Sequence, residues 1–337
     1  MSEKLDTSAS ANNTDRLTAS TVTLAYRLFY DREPESAEII DRHINTCRDL
    51  KTFRSAVFNS REFRTKFPSV TTPAVPGSKP LNWPAINIDV EVSTEQLSEM
   101  VRLVEGNWEE LGRSEPHWSV LTSDKFKASK IKETEDSFYQ SGKSSLEFMT
   151  CAAARSGVDI SSLKTCLELG CGVGRVTVWL AQQFHSVIAV DISRPHIELA
   201  EAAARRHATP NIDFVHIDSL QAVRELPNFD CFYSVIVLQH NPPPVIYAIL
   251  DALLPKLNAG GIAYFQVPTY RAGYDFDAAA YLASATIRGR MESHVLPQPA
   301  LFSLYAKHSC RVLEVREDGW TGSPLMVSNS FLIQKQP

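Results

Sequence analysis

The feature that most constrains the fold is a glycine-rich turn between a strand-like segment and a helix-like segment. Residues 166–181 read CLELGCGVGRVTVWLA. An apolar run ends in Gly170, Gly172 and Gly174, which stand at alternate positions, and a helical pattern of apolar residues follows at once. Glycine permits a tight turn and a close approach of the backbone to a ligand. The segment therefore predicts a strand, a ligand-binding turn and a helix, with the carboxylate of Glu168 just before the turn.

Strand-like and helix-like segments alternate after this turn. Helical patterns cover 193–208 and 245–257. The candidate strands are 166–170, 187–191, 213–217, 230–238, 261–267, 311–316 and 328–334. Such alternation predicts βαβ units and a mostly parallel sheet with helices on both faces, which is an α/β fold.

The spacing of the glycines argues against two common nucleotide sites. A dinucleotide fingerprint reads GxGxxG, whereas here the third glycine comes one residue early and Arg175 occupies the expected place. A P-loop needs Gly-Lys-Ser/Thr after the turn, and this sequence lacks it. A nicotinamide oxidoreductase and a P-loop nucleotidase are therefore disfavoured.

Four motifs in order carry a resemblance to a known family. They read LELGCGVGR, VIAVDIS, HIDSL and LLPKLNAGG. Together they resemble the class I S-adenosylmethionine-dependent methyltransferases, over roughly Leu97 to the C-terminus. The resemblance implies a Rossmann-like, seven-stranded, mostly parallel sheet with helices on both faces. It also implies S-adenosyl-L-methionine as the cofactor and methyl transfer (EC 2.1.1.-) as the reaction.

The resemblance assigns cofactor roles to several acids beside the glycines. Asp191 ends the second strand and would accept both ribose hydroxyls, with Ile192 beside it, although Asp191 could instead cap the next helix. Glu168 would lie near the methionyl ammonium or support the glycine loop. Asp218 and Ser219 would lie beside the adenine amino group, with a plain loop residue as the alternative for Asp218.

The end of the fourth strand should face the sulfonium in this fold, and its sequence is QHNPPP. Asn241-Pro242-Pro243 resembles the N/D-P-P-aromatic signature of amine methyltransferases, but position 244 is proline rather than aromatic. The preferred interpretation is a helix start with Asn241 as N-cap. Gln239 is then a cofactor contact. His240 is the first candidate base for a hydroxyl acceptor, or simply a hydrogen-bonded strand-end residue.

An insertion at 268–300, between the fifth and sixth strands, is predicted to face the acceptor. Arg288 and Arg290 could bind an anionic acceptor, although solvated arginines are the commoner case. His294 is the second candidate base. Ahead of the core, residues 93–160 should form a helical lid. Within them the flexible polar stretch 137–142 could fold over the cofactor through Tyr139, which could equally be a packing residue.

The N-terminal part divides into a flexible tail (1–18), a helical module (19–68) and a proline-rich linker (69–92), ahead of the catalytic domain at 93–337. The module is expected to contain two or three helices. It resembles a small module of bacterial surface-polysaccharide biosynthesis proteins through Tyr26-Arg27, Arg32-Glu33-Pro34 and Ser60-Arg61-Glu62-Phe63. Asp31 replaces the glycine of that pattern. The resemblance implies a saccharide or saccharide-linked acceptor and a biosynthetic partner protein.

Composition narrows the remaining choices. The net charge of −5 over 337 residues gives no general reason to bind nucleic acid. The six cysteines form no CxxC pair, so we expect reduced thiols and no metal. No signal peptide and no apolar run of about 18 residues is present, so we expect a cytoplasmic protein without a membrane span. The rival hypotheses are a methyltransferase of nitrogen or of another small molecule, and a cofactor-binding scaffold without turnover.

Overall fold

The computed structural model describes residues 16–47, 49–66, 83–287 and 289–337. The chain divides into two compact units, Met1–Lys79 and Pro80–Pro337. Most of the predicted tail, and the predicted linker as far as residue 82, lie outside the described residues, as does Arg288. Within the described residues, no helix is long and apolar enough to cross a membrane.

The first unit contains four described helices, α1 (Ala19–Tyr30), α2 (Ala37–Cys47), α3 (Leu50–Asn59) and α4 (Arg61–Lys66). Leu17, inside the predicted tail, is buried in their common core. Asp31 ends α1 with a φ of 52°, the left-handed conformation that glycine would adopt. Aspartate tolerates this conformation better than most residues. The substitution of glycine by Asp31 therefore leaves a left-handed cap in place.

Several residues of the module pattern hold this unit together. Arg32 donates two hydrogen bonds to the Glu62 carboxylate, at 2.9 and 2.7 Å, and its guanidinium lies 5.0 Å from the Tyr26 ring centroid. The Ser60 hydroxyl accepts from the backbone N–H of Phe63 at 3.0 Å. These contacts join α1, α4 and the loop between α1 and α2. The residues of the module's sequence pattern therefore stabilise the fold of the module itself.

The second unit is built on a seven-stranded sheet, as the resemblance implied. Its strands are β1 (Thr165–Leu169), β2 (Ser186–Asp191), β3 (Ile212–His216), β4 (Phe229–Ser234), β5 (Leu257–Arg271), β6 (Cys310–Asp318) and β7 (Met326–Lys335). Their order is β3-β2-β1-β4-β5-β7-β6, and β7 alone runs antiparallel to its neighbours. The predicted fold class is confirmed, and all seven predicted strands are present.

Helices pack on the sheet and ahead of it. They are α5 (Thr94–Ser114), α6 (Pro116–Val120), α7 (Ile131–Arg155), α8 (Thr177–Gln183), α9 (Arg194–Arg206), α10 (Leu220–Glu225), α11 (Pro243–Leu253), α12 (Ala278–Ser284) and α13 (Gln298–Lys307). Single 3₁₀ turns occur at Asp124–Phe126, Ile160–Ser162, Leu238–His240 and Leu254–Lys256. The core on one sheet face contains fully buried Phe232, Phe265 and Phe331.

Three local predictions are wrong. Residues 137–142 are not a loose stretch but part of α7, where Phe138 and Tyr139 are buried and Gly142 packs against the backbone of Arg175. β4 ends at Ser234 rather than 238 because the chain turns sharply at Ile236. Asn241 is not an N-cap, because α11 begins after Pro242 without a side-chain cap.

The second unit also includes a segment that was predicted as linker. Residues 83–92, here called the strap, cross the insertion. Phe276 exchanges backbone hydrogen bonds with Asn87 and Asp89 at 2.9 and 3.0 Å. Trp83 stacks on Tyr270 with ring centroids 5.2 Å apart. The strap therefore belongs to the second unit.

Candidate active site

A pocket opens where the strand order reverses, between β1 and β4. In open α/β sheets this switch point, at the carboxyl ends of the strands, is where ligands bind. The pocket is bounded by the glycine turn, the ends of β2 and β4, and the pre-core helices α5 and α6. Its lining includes Val104, Trp108, Ser119, Val120, Glu168, Gly170, Gly172, Arg175, Asp191, Ile192, His196, Ile217, Tyr233, Ile236, Val237 and Asn241.

The glycine turn forms the floor of this pocket. Gly172 has a φ of 53°, and a Cβ there would lie 2.6 Å from Cγ2 of Val120. A Cβ on Gly170 would lie 2.4 Å from Val237. A side chain at either position would therefore collide with the walls of the pocket. Gly174 does not line the pocket but packs against Ala200 of α9.

Asp191 stands at the carboxyl end of β2, beside the floor. One of its carboxylate oxygens accepts from the backbone N–H of Gly172 at 2.7 Å, and the other accepts from Ser193 N at 2.9 Å. These two bonds fix the carboxylate in the pocket wall. Because an ionised carboxylate offers about four lone-pair positions, Asp191 can still accept hydroxyl protons from a ligand.

Glu168 and Arg175 bring an acidic and a basic side chain into the same pocket. Glu168 is 3% exposed, and its Oε2 has no hydrogen-bond partner among the described residues. Burial raises the pKa of Glu168 to about 8, and Thr177 and Arg175 only partly oppose this rise. An orphaned buried carboxylate is costly unless a ligand supplies its partner.

Arg175 reaches the pocket from the end of the glycine turn. Its guanidinium donates to the hydroxyls of Ser141 and Ser145 on α7, at 3.2 and 3.1 Å. Within the described residues it forms no ion pair closer than 4.0 Å, and burial lowers its pKa. A half-buried cation without an ion pair and a buried acid with an orphaned oxygen, in one pocket, suit a zwitterion such as the amino-acid end of a ligand.

The two histidines named from the sequence lie side by side at the end of β4. His240 Nδ1 donates to the backbone carbonyl of Glu292 at 2.7 Å, and the backbone N–H of His294 donates to the carbonyl of Gln239 at 2.8 Å. The Trp108 ring lines the pocket and packs edge-on against His240 at 5.4 Å. Trp108 thus contacts both the pocket and the histidine pair.

His294 is the centre of a hydrogen-bonded cluster. It is buried, and its Nε2 lies 3.0 Å from the Glu292 carboxylate. Its Nδ1 lies 2.7 Å from the Tyr274 hydroxyl, and the Tyr281 hydroxyl donates to Glu292 at 2.8 Å. The Glu292 carboxylate orders both neighbours, and its pKa is lowered chiefly by the hydrogen bond with His294. Glu292 is a residue that sequence reasoning did not identify.

The other predicted residues lie around the pocket rather than in its lining. Tyr139 is buried and donates to the carbonyl of Val173 at 3.0 Å. Ser219 caps α10 through a bond from Ala222 N, and Asp218 is exposed, whereas their neighbour Ile217 lines the pocket. Gln239 is buried beneath His240. The roles proposed for these residues stay predictions.

Several pocket residues had no assigned role in the sequence. They are Trp108, Ser119, Arg175 and His196. His196 is fixed by the hydroxyls of Ser119 and Ser193, at 2.9 and 2.8 Å. Arg175 did carry a signal, since it is a cation directly after the glycine turn of a site otherwise rich in acids. No group of three or more possible metal ligands occurs in the described part of the chain.

Comparison with known proteins gives a domain match. Residues 166–261 match the protein family described as a methyltransferase domain, which is less than half of the chain. This stretch contains the glycine turn, Asp191 and both ends of β4. The predicted methyltransferase domain is therefore confirmed over these residues.

Curated relatives resemble only part of this chain. A 95-residue stretch is 34% identical to a tRNA/tmRNA (uracil-C(5))-methyltransferase of Shewanella piezotolerans and covers 27% of this chain and 22% of that protein. A 103-residue stretch is 34% identical to a trans-aconitate 2-methyltransferase of Deinococcus radiodurans and covers 30% of this chain and 37% of that protein. The chain thus spans well under half the length of these relatives.

A solved structure of low sequence identity is also similar. It is the magnesium protoporphyrin IX methyltransferase of Synechocystis PCC 6803 with bound SAH, with 14% identity and a TM-score of 0.49. The similarity covers 70% of this chain and all of that chain.

Proposed function

We propose that the unit Pro80–Pro337 is an S-adenosylmethionine-dependent methyltransferase that methylates a hydroxyl group, on a saccharide or saccharide-linked acceptor. The observation that carries methyl transfer is the pocket at the switch point, where buried Glu168 and half-buried Arg175 are not paired with each other. The methyltransferase-domain match over 166–261 supports it.

The residues present fit S-adenosylmethionine. Its amino-acid end carries an ammonium, suited to Glu168, and a carboxylate, suited to Arg175. Asp191 would accept the ribose hydroxyls, with Ile192 and Ile217 as apolar walls beside it. When bound, the cofactor supplies a methyl group on a sulfonium sulfur.

The protein's part in the reaction is to hold the acceptor in line and to take its proton. An in-line displacement gains much of its rate from alignment of nucleophile, methyl and sulfur. A hydroxyl acceptor also needs a base, and the candidates are His240, which contacts the pocket residue Trp108, and His294 beside it. The absence of an aromatic residue after Asn241-Pro242-Pro243 argues against an amine acceptor.

The acceptor class rests on weaker support than the reaction. A saccharide, and a biosynthetic partner protein, follow only from the resemblance of the N-terminal module. One relative named above acts, by its name, on tRNA and tmRNA. RNA therefore belongs in the acceptor screen, although the negative net charge disfavours it.

The test begins with calorimetric titration of the full chain with S-adenosylmethionine and with its demethylated product. We expect micromolar binding, weakened about tenfold or more in Asp191→Ala. Radiolabelled methyl donor then identifies the acceptor among sugars, nucleotide sugars, small acids and RNA. Absence of binding contradicts the proposal, while tight binding without transfer to any acceptor favours a scaffold without turnover.

A further inference from the structure

A strained residue follows the end of β4. Ile236 has a φ of 60°, a conformation that β-branched residues rarely adopt. Ile236 lines the pocket, and its backbone N–H donates to Oε1 of Gln266 on β5 at 3.0 Å. Gln266 is fully buried. A buried amide therefore holds the strained turn in place.

The hydrogen bond from Ile236 fixes the orientation of two glutamine amides. A backbone N–H can only donate, so the oxygen of Gln266 must face it and the NH₂ group must point away. That NH₂ group donates to Oε1 of Gln239 at 3.1 Å and to the Ser328 hydroxyl at 2.6 Å. The oxygen of Gln239 is thereby engaged, and its NH₂ group faces Nε2 of His240 at 3.2 Å.

The opposite side of the His240 ring demands the same arrangement. Nδ1 lies 2.7 Å from the backbone carbonyl of Glu292, which can only accept, so Nδ1 carries a proton. Nε2 faces a donor and therefore presents a lone pair. Two independent ends of the chain of hydrogen bonds thus specify one state of His240, the neutral ring with its proton on Nδ1.

We propose that Gln266 and Gln239 are positioning residues that hold His240 in this neutral state, so that its Nε2 takes the proton of the acceptor hydroxyl. The proposal rests on the proposed methyl transfer to oxygen. As the acceptor oxygen takes the methyl group from the sulfonium sulfur, which keeps the electron pair of the broken carbon–sulfur bond, the acceptor O–H bond breaks and its proton passes to Nε2. The imidazolium keeps its Nδ1–H on Glu292 and afterwards loses the Nε2 proton to water.

The approach of an acceptor requires only a weak bond to yield. The contact between the Gln239 amide and Nε2 is 3.2 Å long, at the outer limit for a hydrogen bond. It is the weaker of the two bonds to the ring, so an acceptor hydroxyl would replace this bond rather than the one at Nδ1. The Nδ1 bond to Glu292 is much shorter, so the ring keeps its orientation while the partner of Nε2 changes.

The groups that face His240 favour the neutral ring. Burial lowers the pKa of His240, the Glu292 carbonyl opposes this, and His294 lowers it further. The Glu292 carboxylate is bound to His294 and Tyr281, while α5 presents the uncharged Trp108 and β5 the uncharged Gln266. Among the described residues no carboxylate forms an ion pair with His240.

The first experiment observes the ring directly. NMR of the full chain with ¹⁵N-labelled histidine, with the His240 signals assigned by comparison with His240→Gln, reports which ring nitrogen carries the proton. At neutral pH we expect a protonated Nδ1 and a bare Nε2 in the ligand-free protein. A proton on Nε2, or an imidazolium, overturns the proposal.

The second experiment reverses the polarity of the hydrogen-bond chain. In Gln239→Glu a carboxylate faces Nε2 and requires a proton from it, so the pKa of His240 should rise by about 1–2 units. The acid limb of the kcat/KM profile should move up equally. Gln298→Glu is the matched control, because the Gln298 amide also donates to a neighbour, Asn329 at 3.2 Å, but outside this chain of bonds.

A third variant keeps the test decisive if Gln239→Glu folds poorly. Gln239→Met removes the donor that stabilises the neutral ring without adding charge, so the pKa of His240 should rise by less than in Gln239→Glu. If the pKa of His240 is unchanged in both Gln239 variants, the positioning role of Gln239 and Gln266 is refuted. Full turnover in His240→Gln refutes the base role. If the unaltered protein does not bind the cofactor, the proposed function is refuted instead. The NMR measurement of the protonation state of His240 does not depend on that result.

Discussion

The cofactor pocket and the histidine pair adjoin each other, yet they differ in how their polar groups are satisfied. In the pocket, Glu168 Oε2 and the Tyr233 hydroxyl have no partner among the described residues. In the histidine pair, all four ring nitrogens have partners. An unsatisfied site gains its missing partners from a ligand, whereas a satisfied network is ordered before any ligand arrives.

The largest expected effect concerns the pocket, where polar groups lack hydrogen-bond partners. Arg175→Met should weaken S-adenosylmethionine binding by about 30–1000-fold, because the ligand carboxylate would then be buried without a partner. Calorimetric titration measures the loss. Arg205→Met, which changes an exposed arginine of α9, is the control. Equal affinity in Arg175→Met and the unaltered protein would show that the carboxylate binds elsewhere.

A second effect concerns stability and follows from the raised pKa of Glu168. The acid stays protonated in the folded chain up to about pH 8, whereas in the unfolded chain it ionises near pH 4.5. The stability that Glu168 contributes as a buried neutral acid is fully present below pH 4.5 and is lost as pH rises to about 8. The change in the free energy of unfolding that Glu168→Gln causes should therefore be more stabilising at pH 8 than at pH 4, by about 2–4 kcal/mol.

Urea unfolding of Glu168→Gln and the unaltered protein at both pH values measures this difference. Glu133→Gln, on α7 ahead of the core, serves as the control for removal of an acid. A destabilisation of Glu168→Gln that is the same at pH 4 and pH 8 would mean that Glu168 already has a partner in the free protein.

A third effect links the same group to the ligand. Binding of an ammonium should ionise Glu168, so at pH 6.5 we expect release of up to about one proton per cofactor bound. Titrations in two buffers of different ionisation enthalpy count the protons. Glu168→Gln should release none. Release that persists in this variant assigns the proton to another group.

The smallest expected effect concerns the histidine pair, where every ring nitrogen has a hydrogen-bond partner. Tyr274→Phe removes the donor to His294 Nδ1 and should cost about 1–2 kcal/mol of stability with little change in cofactor affinity. Tyr281→Phe, which removes a donor to Glu292 instead, provides the comparison within the cluster. A large loss of cofactor affinity in either variant would show that the two regions are coupled.

The parts of the fold that could be predicted from sequence are those with strong local patterns. The apolar strands and the glycine turn are examples, since close packing at Gly170 and Gly172 requires the absence of a side chain. The prediction for 137–142 failed because the buried face of α7 includes Gly142 and Ser145, which look polar or flexible in a sequence. The absence of a side chain at Gly142 fits α7 against the Arg175 backbone, a contact that only the tertiary fold creates.

The site was predictable to a similar extent. Acids at strand ends pointed to Glu168 and Asp191, both of which line the pocket. The partners of the histidines were not predictable, because Glu292 and Gln266 approach His240 and Gln239 from distant parts of the chain. The end of β4 was misplaced because nothing local signals a left-handed conformation at a β-branched residue such as Ile236.

The strap has a consequence for synthesis of the protein. Tyr270 donates to the carbonyl of Pro84, 186 residues earlier, and Asn87 N donates to Asp275, 188 residues later. At about 5–20 residues per second, the ribosome releases the strap roughly 10–40 s before its partners exist. Throughout this interval Trp83 lacks the ring on which it stacks, and the strap is available to chaperones. Docking of the strap therefore cannot begin until residues 270–276 have been synthesised.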